Sequence, residues 1–373
     1  MPQARYIMIG GFLGSGKTTS VAHLAQHLKT QGLKVGLITN DQGSELVDTA
    51  MLRSKGFATE EIPGGCFCCR FNSLVEAANK LTASTRPDVF IAEPVGSCTD
   101  LVATVTYPLR RIYHEDFAVA PLSVLLDPIR ALRLFGVEEG GRFSDKVAYI
   151  YRKQIEEADL VVINKADLLT PEREAALRAA LDAEFPGKSV IAVSARTGQG
   201  MDEWFARIAR ENQPDGESMQ VDYEVYADGE ALLGWLNCTV QLAKADGFDG
   251  NELLRELASD IQARFNTANG EIAHLKMTLS PDGGLGDIAV VNVVRNDFVP
   301  ELSILLPDVV ESGQLIVNVR AEAAPETLHT AVVDSVAALA AAHPGLTARL
   351  EHEEHFRPGK PQPTHRLTAF TAP

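Results

Sequence analysis

Through the first 212 residues, short apolar runs alternate with stretches of helical spacing. Tyr6 to Ile9 is apolar and stops at Gly10 and Gly11, and a helical pattern then runs from Lys17 to about Thr30. That order reads as strand, loop, helix. Val35 to Thr39, Val89 to Ala92, Leu122 to Leu126, Leu160 to Ile163 and Val190 to Val193 are further runs rich in Val, Ile and Leu. Such runs suit strands buried on both faces of a mostly parallel sheet. Phe71 to Leu81, Ser144 to Glu157, Pro171 to Glu184 and Asp202 to Asn212 supply helices between them. The alternation predicts an α/β domain over 1–212, with a doubly wound, mostly parallel sheet.

The rhythm changes after Gln213 to Ser218, where Pro214, Asp215 and Gly216 mark a linker. Strands are predicted over Leu236 to Leu242, Ile272 to Leu279, Ile288 to Val294 and Leu315 to Val319, and helices over Glu252 to Phe265 and Glu326 to Ala342. This pattern predicts a smaller C-terminal α+β domain of the ferredoxin-like kind over 219–373. Its polar, Pro-rich tail from about Glu351 reads as a candidate for partial disorder.

Composition narrows the function. The 373 residues are 45% hydrophobic and 23% charged, and 34 basic against 50 acidic residues leave a net charge of −16. A field of that sign repels polyanions and anionic lipid, so neither nucleic acid nor a membrane is an expected partner. No run of eighteen apolar residues occurs, and Met1 to Arg5 leads into a strand-like run without a signal peptide's apolar core. A cytoplasmic location is expected. Five cysteines, three of them within four positions, then favour metal chemistry over a disulfide framework.

The chemistry starts at Gly11-Phe12-Leu13-Gly14-Ser15-Gly16-Lys17-Thr18, a GxxxxGK[ST] pattern between a predicted strand and helix. Glycines let main-chain N–H groups converge on phosphate oxygens at a helix N-terminus. Gly11, Gly14, Ser15, Gly16, Lys17, Thr18 and Thr19 are therefore the expected nucleotide contacts, with Lys17 on the β and γ phosphates and the Thr18 hydroxyl on Mg²⁺. Glu93 ends an apolar run and is placed to hold the same ion, directly or through water. Asn40 and Asp41, after the preceding strand, serve that ion or the attacking water, or Asp41 simply forms a turn.

Asn164-Lys165-Ala166-Asp167 follows a strand directly, and Ser194-Ala195 follows the next one. A carboxylate at Asp167 accepts from the ring N–H and exocyclic amine of guanine, a donor pair adenine lacks, which points to GTP. Cys66, Cys68 and Cys69, in Gly64-Gly65-Cys66-Phe67-Cys68-Cys69, form a CxCC group on a glycine-preceded loop. The three thiols converge on one soft or borderline metal, or two hold it while the third exchanges it; a redox pair or inert buried thiols are the competing readings. Cys98 and Cys238 are isolated and read as core.

Taken in order, GGFLGSGKTT at Gly10 to Thr19, GGCFCC at Gly64 to Cys69, EPVG at Glu93 to Gly96 and NKAD at Asn164 to Asp167 resemble the CobW-like metallochaperone GTPases, relatives of the nickel-delivery GTPases for hydrogenase and urease. The resemblance covers roughly the first 200 residues. It implies GTP hydrolysis to GDP with Mg²⁺, coupled to a transition metal on Cys66, Cys68 and Cys69, with zinc expected ahead of cobalt or nickel. It also implies a switch segment around Asn40 to Asp48. The partner it implies is a client metalloprotein or, alternatively, a cobalamin enzyme to be loaded or reactivated; a homodimer is also compatible. Two departures stand out. Many relatives read Asn-Glu-Phe-Gly where this chain has Asn40-Asp41-Gln42-Gly43, and their His-rich tract is missing. His352, His355 and His365 either relay metal or belong to a solvated tail. A small-molecule kinase and a purely structural metal module are the competing classes.

Overall fold

A computed structural model describes residues 3–42, 47–284 and 286–371. The described residues form two compact units, one drawn from 3–42, 57–229 and 360–371, the other from 47–56 and 230–359.

The first unit is built on eight parallel strands: β1 (Ala4–Gly11), β2 (Val35–Asn40), β3 (Ala58–Ile62), β4 (Val89–Glu93), β5 (Phe117–Val119), β6 (Ser123–Leu126), β7 (Leu160–Ile163) and β8 (Ser189–Ala192). Their order is β3-β2-β4-β1-β6-β7-β8, with β5 also on β1. The order turns around β1: β2 and β4 lie to one side, β6 to β8 to the other. Ligands of doubly wound sheets bind beyond the strand ends at such a reversal. Every predicted strand of this domain is present, because β4, β6 and β7 are buried along their whole length and read as unbroken apolar runs. The missed β3 is an edge strand, Ala58-Thr59-Glu60-Glu61-Ile62, whose carboxylates are a usual guard for an open edge and hide the alternation.

The second unit is an antiparallel sheet of β10 (Leu233–Phe248), β11 (Glu271–Pro281), β12 (Ala289–Val293), β13 (Glu301–Ile304), β14 (Val310–Glu322) and β15 (Thr347–Phe356), in the order β13-β12-β11-β14-β10-β15. Helices Gly250–Thr267 and Pro325–Ala342 follow β10 and β14. Leaving out β12 and β13, strand-helix-strand-strand-helix-strand with β11-β14-β10-β15 is the ferredoxin-like arrangement expected. The two extra strands widen one edge. Leu236, Val240, Leu257, Ile261, Val317 and Val332 are part of the core between sheet and helices. The helix Val47–Ser54, although it follows β2 in sequence, belongs here: Val47 and Met51 pack with Ile288 and Val290, and Asp48 pairs with Lys276 at 2.5 Å.

Two sequence expectations change. Gln213 to Ser218 is no bare linker, since Gln213 N–H donates to Val119 O at 2.9 Å and Gly216–Glu217 forms the short strand β9. The units instead divide inside the helix Tyr223–Leu232. The tail from Glu351 is structured too: residues through Phe356 complete β15, and β16 (Ala369–Phe370) pairs with β9. Its polarity misled because an edge strand exposes many side chains and short return segments bury few. Among the described residues no helix is long and apolar enough to cross a membrane.

Candidate functional site

The phosphate loop leaves β1 and enters the helix Lys17–Thr30 through Gly16. No side chain caps that helix and no carboxylate occupies its first turn, which keeps the positive end of the helix dipole for an anion. Gly16 must be glycine: its φ is +91°, and a Cβ there would meet Asn164 Nδ2 at 2.4 Å. Lys17 is buried and donates to Gly11 O at 2.9 Å and Phe12 O at 3.4 Å, so its ammonium lies in the loop against carbonyl oxygens. Thr18 Oγ1 donates to Glu93 Oε1 at 2.8 Å, and both residues are buried. A hydroxyl and a carboxylate this close are hard oxygen donors that fit Mg²⁺. Thr19 is exposed on the helix's first turn.

The NKAD segment is joined to this loop. Asn164 Nδ2 donates to Ser15 O at 2.9 Å and its Oδ1 accepts from Ala195 N–H at 3.2 Å. Lys165 Nζ spans Gly14 O at 2.7 Å and Asp127 Oδ2 at 2.8 Å. Asn164 and Lys165 thus brace the phosphate loop. Asp167 accepts from Ser194 Oγ at 2.6 Å and lies 3.6 Å from Arg196. Asp127 escaped the sequence reading. It is buried at the end of β6, N-caps the helix Pro128–Leu134 through Arg130 N–H, and anchors Lys165. Leu126-Asp127-Pro128, an apolar run followed by a cap residue and proline, was the available signal.

The cysteines lie on a tight turn in which Cys66 O accepts from the N–H groups of Cys69 and Arg70 at 3.0 and 2.9 Å. Gly65, at φ +146°, opens it. Buried Phe67 anchors the turn, and the three sulfurs gather at 2.7 Å (Cys66–Cys68), 3.3 Å (Cys66–Cys69) and 3.7 Å (Cys68–Cys69). Hydrogen bonds from Cys68, then Cys69 and Cys98, hold the Cys66 thiol well below its usual range. The same bond to Cys66 keeps Cys68 well above it, and Cys69 is pushed up to about 11. Three sulfurs this close, with Cys66 the one most readily ionised, are a donor set for a borderline cation. Cys98 is buried as expected, yet its thiol also reaches Cys66 and Cys68, so the sequence reading of it as isolated is corrected.

Asn40 braces the cysteine turn. At the end of β2 its Nδ2 donates to Ile62 O at 2.8 Å and to Gly65 O at 2.6 Å, beside Cys66. Asp41 is half-buried, its N–H donating to Ile62 O at 3.3 Å. The remainder of the expected switch, 43–46, lies outside the described residues, and Val47 and Asp48 begin the helix of the second unit. The C-terminal tail adds contacts that no local pattern announces. Gln362 N–H donates to Cys69 Sγ at 3.1 Å, Thr364 N–H to Cys68 O at 2.8 Å, and Leu367 N–H to Ala103 O at 2.8 Å. Arg366 pairs with Asp100 at 2.8 Å, and His365 packs edge-on against Phe71.

The segment after β4 hangs on Glu157, which accepts from Thr99 Oγ1 and Val102 N–H, each at 3.1 Å. Burial, with Asp100 nearby, pushes the Glu157 carboxyl up to about 8 from an ordinary 4.5. Between those values the native state holds a proton that the unfolded chain releases, so stability falls as pH rises toward 8. Urea unfolding at a series of pH values should show this loss, on the order of 1 kcal/mol per unit, and Glu157→Gln should flatten it. Equal slopes in the two proteins would remove Glu157 as the cause.

Fold and site define a P-loop nucleotide-binding domain with a thiol cluster beyond the end of the edge strand β3. The chain belongs to the family described as CobW/HypB/UreG, nucleotide-binding domain, which matches residues 5–191. It is 34% identical over 174 residues to the zinc chaperone YeiR of Escherichia coli (strain K12), covering 46% of this chain and 49% of YeiR. It is 28% identical over 213 residues to the zinc chaperone CobW of Sinorhizobium sp, covering 52% and 59%. The chain thus spans about half the length of the curated relatives it matches. Among solved structures, the Zn(II)-bound YjiA GTPase from E. coli is 13% identical, with 90% of this chain and 99% of that one covered and a TM-score of 0.35.

Proposed function

We propose that this protein is a GTP-hydrolysing metallochaperone that carries zinc on Cys66, Cys68 and Cys69 and passes it to a client metalloprotein. In this reading Lys17 and the loop amides bind the β and γ phosphates, Thr18 and Glu93 hold Mg²⁺, and Asp167 selects guanine. Mg²⁺ supplies charge neutralisation at the phosphoryl oxygens. The names of YeiR and CobW as zinc chaperones favour zinc as cargo. Cys69, the half-exposed member of the trio, is where ligand exchange with a client begins.

The observation that carries the coupling is the Asn40 amide, bonded at 2.6 Å to Gly65 O and set at the end of the strand next to Glu93. A shift at that strand end on loss of the γ phosphate is transmitted to the turn bearing Cys66. Zinc affinity, measured by competition with a chromophoric chelator, should differ between the GDP state and a non-hydrolysable GTP analogue by about fivefold to a hundredfold. Asn40→Ala should bring that ratio close to one. Equal affinities in the wild-type protein would end the coupling, because a ligand indifferent to state shifts nothing.

A further inference from the structure

The second unit contains a group of metal-binding side chains that the thiol chemistry does not use. Glu353 and His355 are two residues apart on β15, so their side chains share one face of the strand. That face is the inner one: in the register Glu353 opposes Cys238 and His355 opposes Leu236, both of which belong to the core beneath the helices. Polar residues on the core side of a strand are unusual and call for partners. The helix Pro325–Ala342 provides one in His329.

The three side chains converge. His355 Nδ1 lies 2.7 Å and His329 Nδ1 3.2 Å from the same Glu353 oxygen, the two rings are 4.9 Å apart, and the three donor atoms all lie within 4.8 Å of one another. His329 Nδ1 is shielded from solvent, and its approach to Glu353 is not aligned as a hydrogen bond. Packing of helix on strand, not hydrogen bonding, therefore brings this nitrogen to the carboxylate. His352 faces the other way, opposite Thr239, and His365 belongs to the first unit, so the three tail histidines singled out in the sequence do not form one relay.

We infer that His329, Glu353 and His355 form a second, thiolate-free site for a divalent cation of the zinc class, separate from the cysteine trio. Two imidazole nitrogens and one carboxylate oxygen are a donor set that zinc, cobalt and nickel accept, and three protein ligands leave a coordination position for water or an incoming donor. The half-exposed side chains give the ion a way in and out. Such a site holds a cation less tightly than three thiolates and exchanges it faster.

The test uses the full-length chain carrying C66S/C68S/C69S, titrated with cobalt(II). This protein should bind one ion per chain, with ligand-field absorption and without the sulfur-to-cobalt charge-transfer band. Adding His329→Ala, or the near-isosteric Glu353→Gln, should weaken that binding by about tenfold or more, with circular dichroism confirming that the fold is kept. Conversely, H329A/H355A in the chain with its cysteines intact should retain the charge-transfer band and lose only the second equivalent. A cysteine-free chain that binds no cobalt, or whose affinity is unmoved by both H329A and E353Q, overturns the inference. Absence of the charge-transfer band in the intact chain would instead count against the thiol site, so the two readings fail separately.

Discussion

Lys17→Ala should lower the rate of GTP hydrolysis by at least about a hundredfold to a thousandfold, the usual cost of removing a preorganised charge that stabilises a transition state. Lys17 is buried in the loop with its ammonium on the carbonyls of Gly11 and Phe12. A cation held by neutral oxygens transfers readily to a triphosphate, whose developing charge it meets at short range in a low-dielectric cradle. Alanine supplies no charge, and water cannot replace it at the same geometry. Single-turnover phosphate release under saturating Mg²⁺·GTP checks this, with circular dichroism to confirm folding. A variant within about threefold of the wild-type rate, far short of the expected loss, would rule out the assignment of Lys17 to phosphoryl transfer.

C66S/C68S/C69S should lose zinc affinity by at least about a thousandfold, since metal–thiolate bonds account for most of the roughly 10–16 kcal/mol typical of cysteine-rich zinc sites. Serine keeps the shape but does not ionise to an equivalent ligand. The direction of the pH dependence follows from the cluster. The Cys66 thiol is held low, whereas Cys68 is raised and Cys69 lies near 11. At neutral pH two of the three sulfurs are therefore protonated, and loading zinc expels those protons. Wild-type affinity should accordingly strengthen as pH rises, with proton release visible in calorimetry in buffers of different ionisation enthalpy. Zinc binding that ignores pH, or that keeps its wild-type affinity after the triple substitution, would place the cargo elsewhere.

Much of the candidate site was legible because its parts are local. A phosphate loop needs a strand, glycines at fixed offsets and a helix start, all within Tyr6 to Thr30. NKAD and CxCC are equally compact. The structure adds contacts inside those motifs that the sequence does not announce. Asn164 and Lys165, expected to touch nucleotide, also brace the loop through Ser15 and Gly14. Asn40, expected near Mg²⁺ or the attacking water, commits its amide N–H groups to Ile62 and Gly65. Which carbonyl lies within reach of an amide is a matter of strand order, and strand order is not a local property.

By itself the sequence determined the two-part architecture, the strands buried on both faces, the phosphate loop and the three thiols that one turn brings together. Each of these follows from interactions between residues close along the chain, where periodicity and turn chemistry act directly. Only the tertiary structure decided that residues 360–371 return to the first unit and bond Gln362 and Thr364 to the cysteine turn, that the helix Val47–Ser54 joins the second unit, and that His329 meets Glu353 and His355. Those pairings close long stretches of chain at a loss of conformational entropy, offset by packing spread over many residues. No single motif records such a sum, which is why the polar tail read as loose chain while the folded protein holds it against the cysteine turn.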